Sequence, residues 1–300
     1  VSVDSTGAQA NGSSGLYGIA ITPDGRYVVF ESVANNLVSG DTNGSDIFLR
    51  DRLSGTTERV SVDSSGAQGN ANSFRLSISP DGRYVAFESL ATNLVAGDTN
   101  AQVDVFVHDR VNGTTELASV TTSGVQGNDA SLYPSLSFDG RYVAFGSNAT
   151  NLVSGDTNGR VDVFVRDRQS GVTTRVSVGT PWAQGNGNSN LPCISSDGRY
   201  VAFMSAATNL VAGDTNACDD VFIRDRVTNQ TERVSVAAGG TQGNGYSTEP
   251  SFSADARYVA FKSVATNLVP NGPSNLGTRI FVRDRLSSTN EIVSLATNGS

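Results

Sequence analysis

The tract Asp-Gly-Arg-Tyr-Val starts at Asp24, Asp81, Asp139 and Asp197, and recurs as Asp-Ala-Arg-Tyr-Val at Asp255. The starts lie 57, 58, 58 and 58 residues apart. A second tract, Arg-Asp-Arg or once His-Asp-Arg, centres on Asp51, Asp109, Asp167, Asp225 and Asp284, at gaps of 58, 58, 58 and 59. Five copies of one unit therefore fill the chain, at approximately 4–62, 63–120, 121–178, 179–236 and 237–296 of 300 residues. A repeat of this length is a supersecondary unit that buries its faces only against its neighbours. The chain reads as a single domain, 1–300, with no room for a second.

The second copy shows what the unit is. Between Phe74 and Val120 it holds four short runs rich in β-branched and aromatic residues, RLSIS, RYVAFES, DVFVHD and TTELASV. Turn formers bound each run, which predicts four strands. Pro80-Asp81-Gly82 is a tight turn between the first two, and RVNGTT is a short turn between the last two. The second-to-third and fourth-to-first connections are long, and nothing shows a sustained helical period. Runs such as YVAF and VFV are apolar throughout, as strands covered on both faces are. Four-stranded antiparallel units packed face against face predict an all-β fold, a β-propeller of about five blades.

The succession SPDGRYVAF, DVFVRDR and TTERVSV resembles the TolB-type, WD-like repeat of bacterial propellers, and the resemblance covers all five copies. It implies the fold and leaves function open, since such repeats occur in transport-associated proteins, peptidases, lyases and surface proteins. The fifth copy departs from it with Ala256 in place of the turn glycine. Val1-Ser2-Val3 and Ile292–Ala296 both match the fourth strand of a unit. One of them is spare: it is a loose outer fifth strand, a sign that the chain is part of a longer propeller, or an edge for self-association with another molecule.

The formal charge of −8 and the single lysine, Lys262, argue against a nucleic-acid partner. No apolar run is long enough to span a bilayer. Two cysteines, Cys193 and Cys218, exclude a disulfide framework and a Cys-rich zinc site. Many short strands and acidic loops suit a secreted, cell-surface or periplasmic protein.

Strand order places the long loops together, and long loops on a rigid scaffold are where sites form. Four copies carry Asp-x-Asn followed by an acid at the start of the third strand. These are Asp41, Asn43 and Asp46; Asp98, Asn100 and Asp104; Asp156, Asn158 and Asp162; and Asp214, Asn216 and Asp220. Calcium takes such oxygen ligands, so these are candidate calcium sites; the same residues also make metal-free Asx turns. The fifth copy lacks both acids and puts Arg279 where Asp220 stands in the fourth. The neighbouring Gln-Gly-Asn tracts offer amides for a glycan or for bridging loops: Gln68 and Asn70, Gln126 and Asn128, Gln184 and Asn186, Gln242 and Asn244. Trp182, the only tryptophan, could stack on a sugar or cover a seam. Catalysis finds little support. His108 is the only histidine, and Glu31 and Glu88 share a repeat position that Gly146, Met204 and Lys262 occupy elsewhere. The expected function is a non-catalytic scaffold presenting loops to a glycan or a protein. Self-assembly and a polysaccharide-acting lyase or hydrolase are the alternatives.

Overall fold

The computed structural model describes residues 1–270 and 277–294. Every described element is a strand, and the strands form five four-stranded sheets. The first holds β1 (Ser14–Ile21), β2 (Tyr27–Ser32), β3 (Asp46–Asp51) and β4 (Thr56–Arg59). The second holds β5 (Ser73–Ile78), β6 (Tyr84–Ser89), β7 (Asp104–Asp109) and β8 (Thr114–Leu117). The third holds β9 (Ser131–Leu136), β10 (Tyr142–Ser147), β11 (Asp162–Asp167) and β12 (Val172–Arg175). The fourth holds β13 (Ser189–Ile194), β14 (Tyr200–Ser205), β15 (Asp220–Asp225) and β16 (Gln230–Arg233). The fifth holds β17 (Ser247–Phe252), β18 (Tyr258–Ser263), β19 (Arg279–Asp284) and β20 (Thr289–Ile292). Strand order within each sheet follows the chain, one blade per repeat.

The chain divides into two compact units, Val1–Ser154 with Arg166–Thr174, and Gly155–Val165 with Arg175–Ser300. In the first, β5 lies across β1, β2 and β3. Val29, Ile47 and Leu49 there meet Val85, Phe87 and Phe106 of the second sheet in one buried cluster. The second unit repeats the arrangement. Val221 and Ile223 pack with Val259, Phe261 and Phe281, and β17 crosses β13, β14 and β15. The middle strands are apolar on both faces because both faces are covered.

Three details differ from the sequence expectation. The fourth strand is shorter than TTELASV suggests, ending at Leu117, and Val120 makes only an isolated bridge to Gln126. Val1-Ser2-Val3 joins no sheet. Val3 bridges Gln9 as Val62 bridges Gln68, and its carbonyl accepts from Thr57 Oγ1 at 2.6 Å. It stands where the tail of a preceding repeat stands elsewhere. At the other end, the Ile292–Ala296 match runs beyond the described residues. The Ala256 turn is kept: Ala256 N donates to Ser253 O at 2.9 Å, with Ala256 at φ +54°.

The first strand of each later sheet carries a bulge absent from the sequence reading. Arg75, Tyr133, Leu191 and Glu249 occupy one repeat position, and all have positive φ. The pairing register shifts beside each of them. No glycine or turn tract marks the place, so the signal was only their shared spacing.

Candidate functional site

At the short-turn end, the two repeated tracts lock each other. Ser79 Oγ and the Arg83 amide both donate to Asp81 Oδ1, closing the turn. The Arg83 side chain reaches Asp109 with two hydrogen bonds, Nε to Oδ1 at 3.0 Å and Nη2 to Oδ2 at 2.7 Å. Asp109 Oδ1 also accepts the amides of Val111 and Asn112. Arg83 and these amides hold the Asp109 carboxyl down at about 2. The same arginine–aspartate pair recurs at Arg26–Asp51, Arg141–Asp167, Arg199–Asp225 and Arg257–Asp284. These acids are structural.

At the long-loop end, the structure brings the candidate metal ligands together, along with two residues the sequence reading did not assign. In the first copy Ser61 Oγ donates to Asp46 Oδ1 at 2.6 Å. Arg59 Nη1 lies 3.2 Å from Asp41 and 3.4 Å from Asp46. Gln68 from the next repeat donates its amide to Asp41, Asn43 and Asp46. Arg175 sits likewise between Asp156 and Asp162, and Arg233 between Asp214 and Asp220. The place between the carboxylates thus already holds a guanidinium in three copies. Burial pushes the Asp46, Asp104 and Asp162 carboxyls up. Among the described residues, no three His, Cys, Asp or Glu side chains converge as a metal site.

The second copy is the exception, because Leu117 stands where the arginine stands elsewhere. Asp98 and Asp104 are both buried. Gln126 Nε2 donates to them at 2.7 and 2.8 Å, and Asn100 Nδ2 and Ser119 Oγ donate to Asp104. All these donors are neutral, so two buried acids face each other without the cation their sister sites contain.

The Gln-Gly-Asn amides are committed to neighbouring loops. Beyond the glutamine bonds above, Asn70 accepts from the Thr92 amide and donates to Thr92 Oγ1, while its own amide donates to Asn93. Asn128, Asn186 and Asn244 repeat the pattern at Asn151, Asn209 and Asn267. Gln184 donates to Asp156, and Gln242 to Asp214. Asn158 donates to the Gly185 carbonyl, and Asn216 to that of Gly243. Trp182 remains largely exposed, with one ring face over the buried Arg224 guanidinium at 4.6 Å.

His108 is buried, its Nδ1 2.8 Å from Thr115 Oγ1, and burial holds its pKa below the usual histidine range. Glu31 and Glu88 are also buried. Ser45 Oγ donates to Glu31, and the Tyr133 amide donates to Glu88. Burial pushes the Glu88 carboxyl up. Cys193 and Cys218 form no disulfide.

An open groove of about 530 Å³ lies beside the first repeat's long loop. Asp4, Ser5, Thr6, Asn36, Ser39 and Thr57 line it, with Leu37 and Val38 as its apolar part. No arginine or lysine is among its described lining residues, though Arg50 Nη1 donates to the Asp4 carbonyl and to Thr57 Oγ1 in its wall. Its signal in sequence was faint, since Asn35-Asn36 stands where the other copies read Thr-Asn.

No protein-family profile and no curated protein matches the sequence. Solved structures do match. A protein assigned as TolB in Agrobacterium tumefaciens aligns with a TM-score of 0.57 at 18% identity, over 95% of this chain and 81% of that one. The fold is that of a TolB-type β-propeller. An oligogalacturonate lyase from Vibrio parahaemolyticus aligns at 0.56 and 14% identity, over 97% and 70% of the two chains. A prolyl endopeptidase aligns at 0.56 and 13%, over 94% of this chain and 36% of its own. At these identities the TolB-type likeness is one of fold, and the chemistry of each relative stays with that relative. No helix among the described residues is long and apolar enough to cross a membrane.

Proposed function

We propose that this propeller is a non-catalytic binding scaffold whose long-loop end takes a neutral, hydroxyl-rich ligand of the saccharide class. The groove beside Asn36 carries the reading. Its volume falls in the range of small-ligand sites. Its lining of hydroxyls, amides and carboxylates suits sugar hydroxyls, and the Asp4 and Asp41 carboxylates disfavour phosphate or uronate. The histidine and the buried glutamates are bonded within the fold, which supports the non-catalytic half. A secreted, cell-surface or periplasmic setting belongs to the same reading.

The expected result is retention on immobilised neutral oligosaccharide, lost in Ser39→Trp, which fills the groove from an exposed position. Retention unchanged in Ser39→Trp would remove the groove from the proposal. Turnover of a uronate polysaccharide would remove the non-catalytic reading.

A calcium site belongs to the proposal at one loop only. In the second copy Asp98, Asn100 and Asp104, with Gln126, would hold the ion, supplying the charge that Arg59, Arg175 and Arg233 supply elsewhere. Calcium at 100 times its dissociation constant adds about 2.7 kcal/mol to folding stability at one site. Millimolar calcium, but not magnesium, should therefore raise Tm in the wild type. Leu117→Arg should give that stability without metal and abolish the calcium response. A response surviving Leu117→Arg would place the ion elsewhere.

A further inference from the structure

One turn of the fourth repeat departs from its counterparts. Gly7, Gly66, Gly124 and Gly240 hold one repeat position, all at positive φ, with nothing within 4 Å of a Cβ built there. Trp182 stands at that position in the fourth copy, at φ +142°, a backbone that a residue with a side chain rarely adopts. It is the chain's only tryptophan and is 59% exposed. The turn still closes as its counterparts do, the Gly179 amide donating to the Ala183 carbonyl as the Asp63 amide donates to that of Ala67.

The indole covers a cation. The Arg224 guanidinium lies 4.6 Å from the ring centre and is buried, at 1% exposure. Its arginine counterparts Arg50, Arg166 and Arg283 are half-buried, and each donates to a backbone carbonyl as well as to a side-chain oxygen. Arg224 has one acceptor among the described residues, Thr231 Oγ1 at 3.0 Å, and its Nη2 is buried with none. The adjacent Asp225 is taken by Arg199, with bonds of 3.0 and 2.7 Å. A buried guanidinium short of acceptors is unfavourable, and so is a tryptophan at a glycine position. Both stand at one place in one copy, where glycine serves the turn in every other.

We propose that Arg224 anchors a carboxylate ligand and that Trp182 is the lid over it. A carboxylate accepts parallel N–H bonds from a guanidinium, so it supplies the acceptor that Nη2 lacks. One guanidinium matches one negative charge, which favours a carboxylate over a phosphate. The lid can swing away because the tip of this turn projects into open space, as the empty surroundings of Gly66, Gly124 and Gly240 show. Until a ligand arrives, the ring face shields the cation and attracts it. The site shares no residue with the groove or with the second-copy calcium loop.

The lone tryptophan makes the test direct, since its emission reports this turn alone. The full chain is titrated with sodium acetate at mildly alkaline pH, against sodium chloride at the same ionic strength. Acetate should give a saturable emission change and raise acrylamide quenching of Trp182, because an opened ring is wetted on both faces. Chloride should do neither. Arg224→His is the variant, since His108 holds this position in the second copy with Thr115 as its partner. A neutral imidazole at that pH removes the charge and should weaken acetate binding at least about tenfold. Emission and quenching unmoved by acetate, or a response that chloride or Arg224→His reproduces in full, would overturn the inference. The comparison of the two salts on the wild type decides the question without the variant.

Discussion

Gly82→Val should lower the stability of the fold by about 4 kcal/mol, combining backbone strain with overpacking. Gly82 has φ +73°, in the left-handed region, where a β-branched residue is strained. A Cβ built there would lie 2.2 Å from Tyr27 Cδ2, so the ring must move out from between Arg26 and Arg110. The loss should therefore appear as a lower urea midpoint and also as a weakened first-to-second interface. Gly66 is the control. It has φ +86°, but nothing lies within 4 Å of its Cβ position, so Gly66→Ala should cost only about 1 kcal/mol. Equal losses at the two positions would mean that the tyrosine packing contributes nothing.

Phe106→Ala should cost a similar amount, about 4 kcal/mol, for a different reason. Phe106 is fully buried on β7, stacked on Phe87 with ring centres 6.0 Å apart, in the cluster that joins the first two sheets. Its removal leaves a cavity beside Phe87 in a close-packed cluster carried on paired strands, which cannot collapse to fill it. The check is the calorimetric Tm against that of Leu53→Ala, an exposed residue expected to be near neutral. A small loss at Phe106 would mean that the two sheets repack freely.

The fold was legible because its causes repeat. YVAF and VFV recur at one spacing, and a pattern present five times is averaged over local noise. The candidate site was legible in part. Asp41, Asn43, Asp46 and their counterparts were identified as a group, and they do converge. Their charge partner was missed because Arg59 lies at the end of a different strand and comes close only once β3 and β4 pair. Leu117 was unremarkable in sequence, an apolar residue at the end of a strand. It gains meaning only when Arg59, Arg175 and Arg233 are seen between their acids. The bulge at Arg75 and Tyr133 was hidden for the opposite reason, since its residue type changes while its backbone does not.

The tyrosine held between two arginines has a consequence for how the chain finds its register. The same arginine lies over the preceding repeat's tyrosine at Arg110 and Tyr27, Arg168 and Tyr84, and Arg285 and Tyr200, so contact chemistry alone does not distinguish the neighbouring repeat from one farther along. What selects the neighbour is proximity along the chain, because the nearer partner closes the shorter loop. Correct assembly is then a matter of order in time: each repeat should seat on its predecessor before a later copy can compete. On this view the 58-residue spacing is itself part of the folding instruction, setting which of several equivalent docking events happens first.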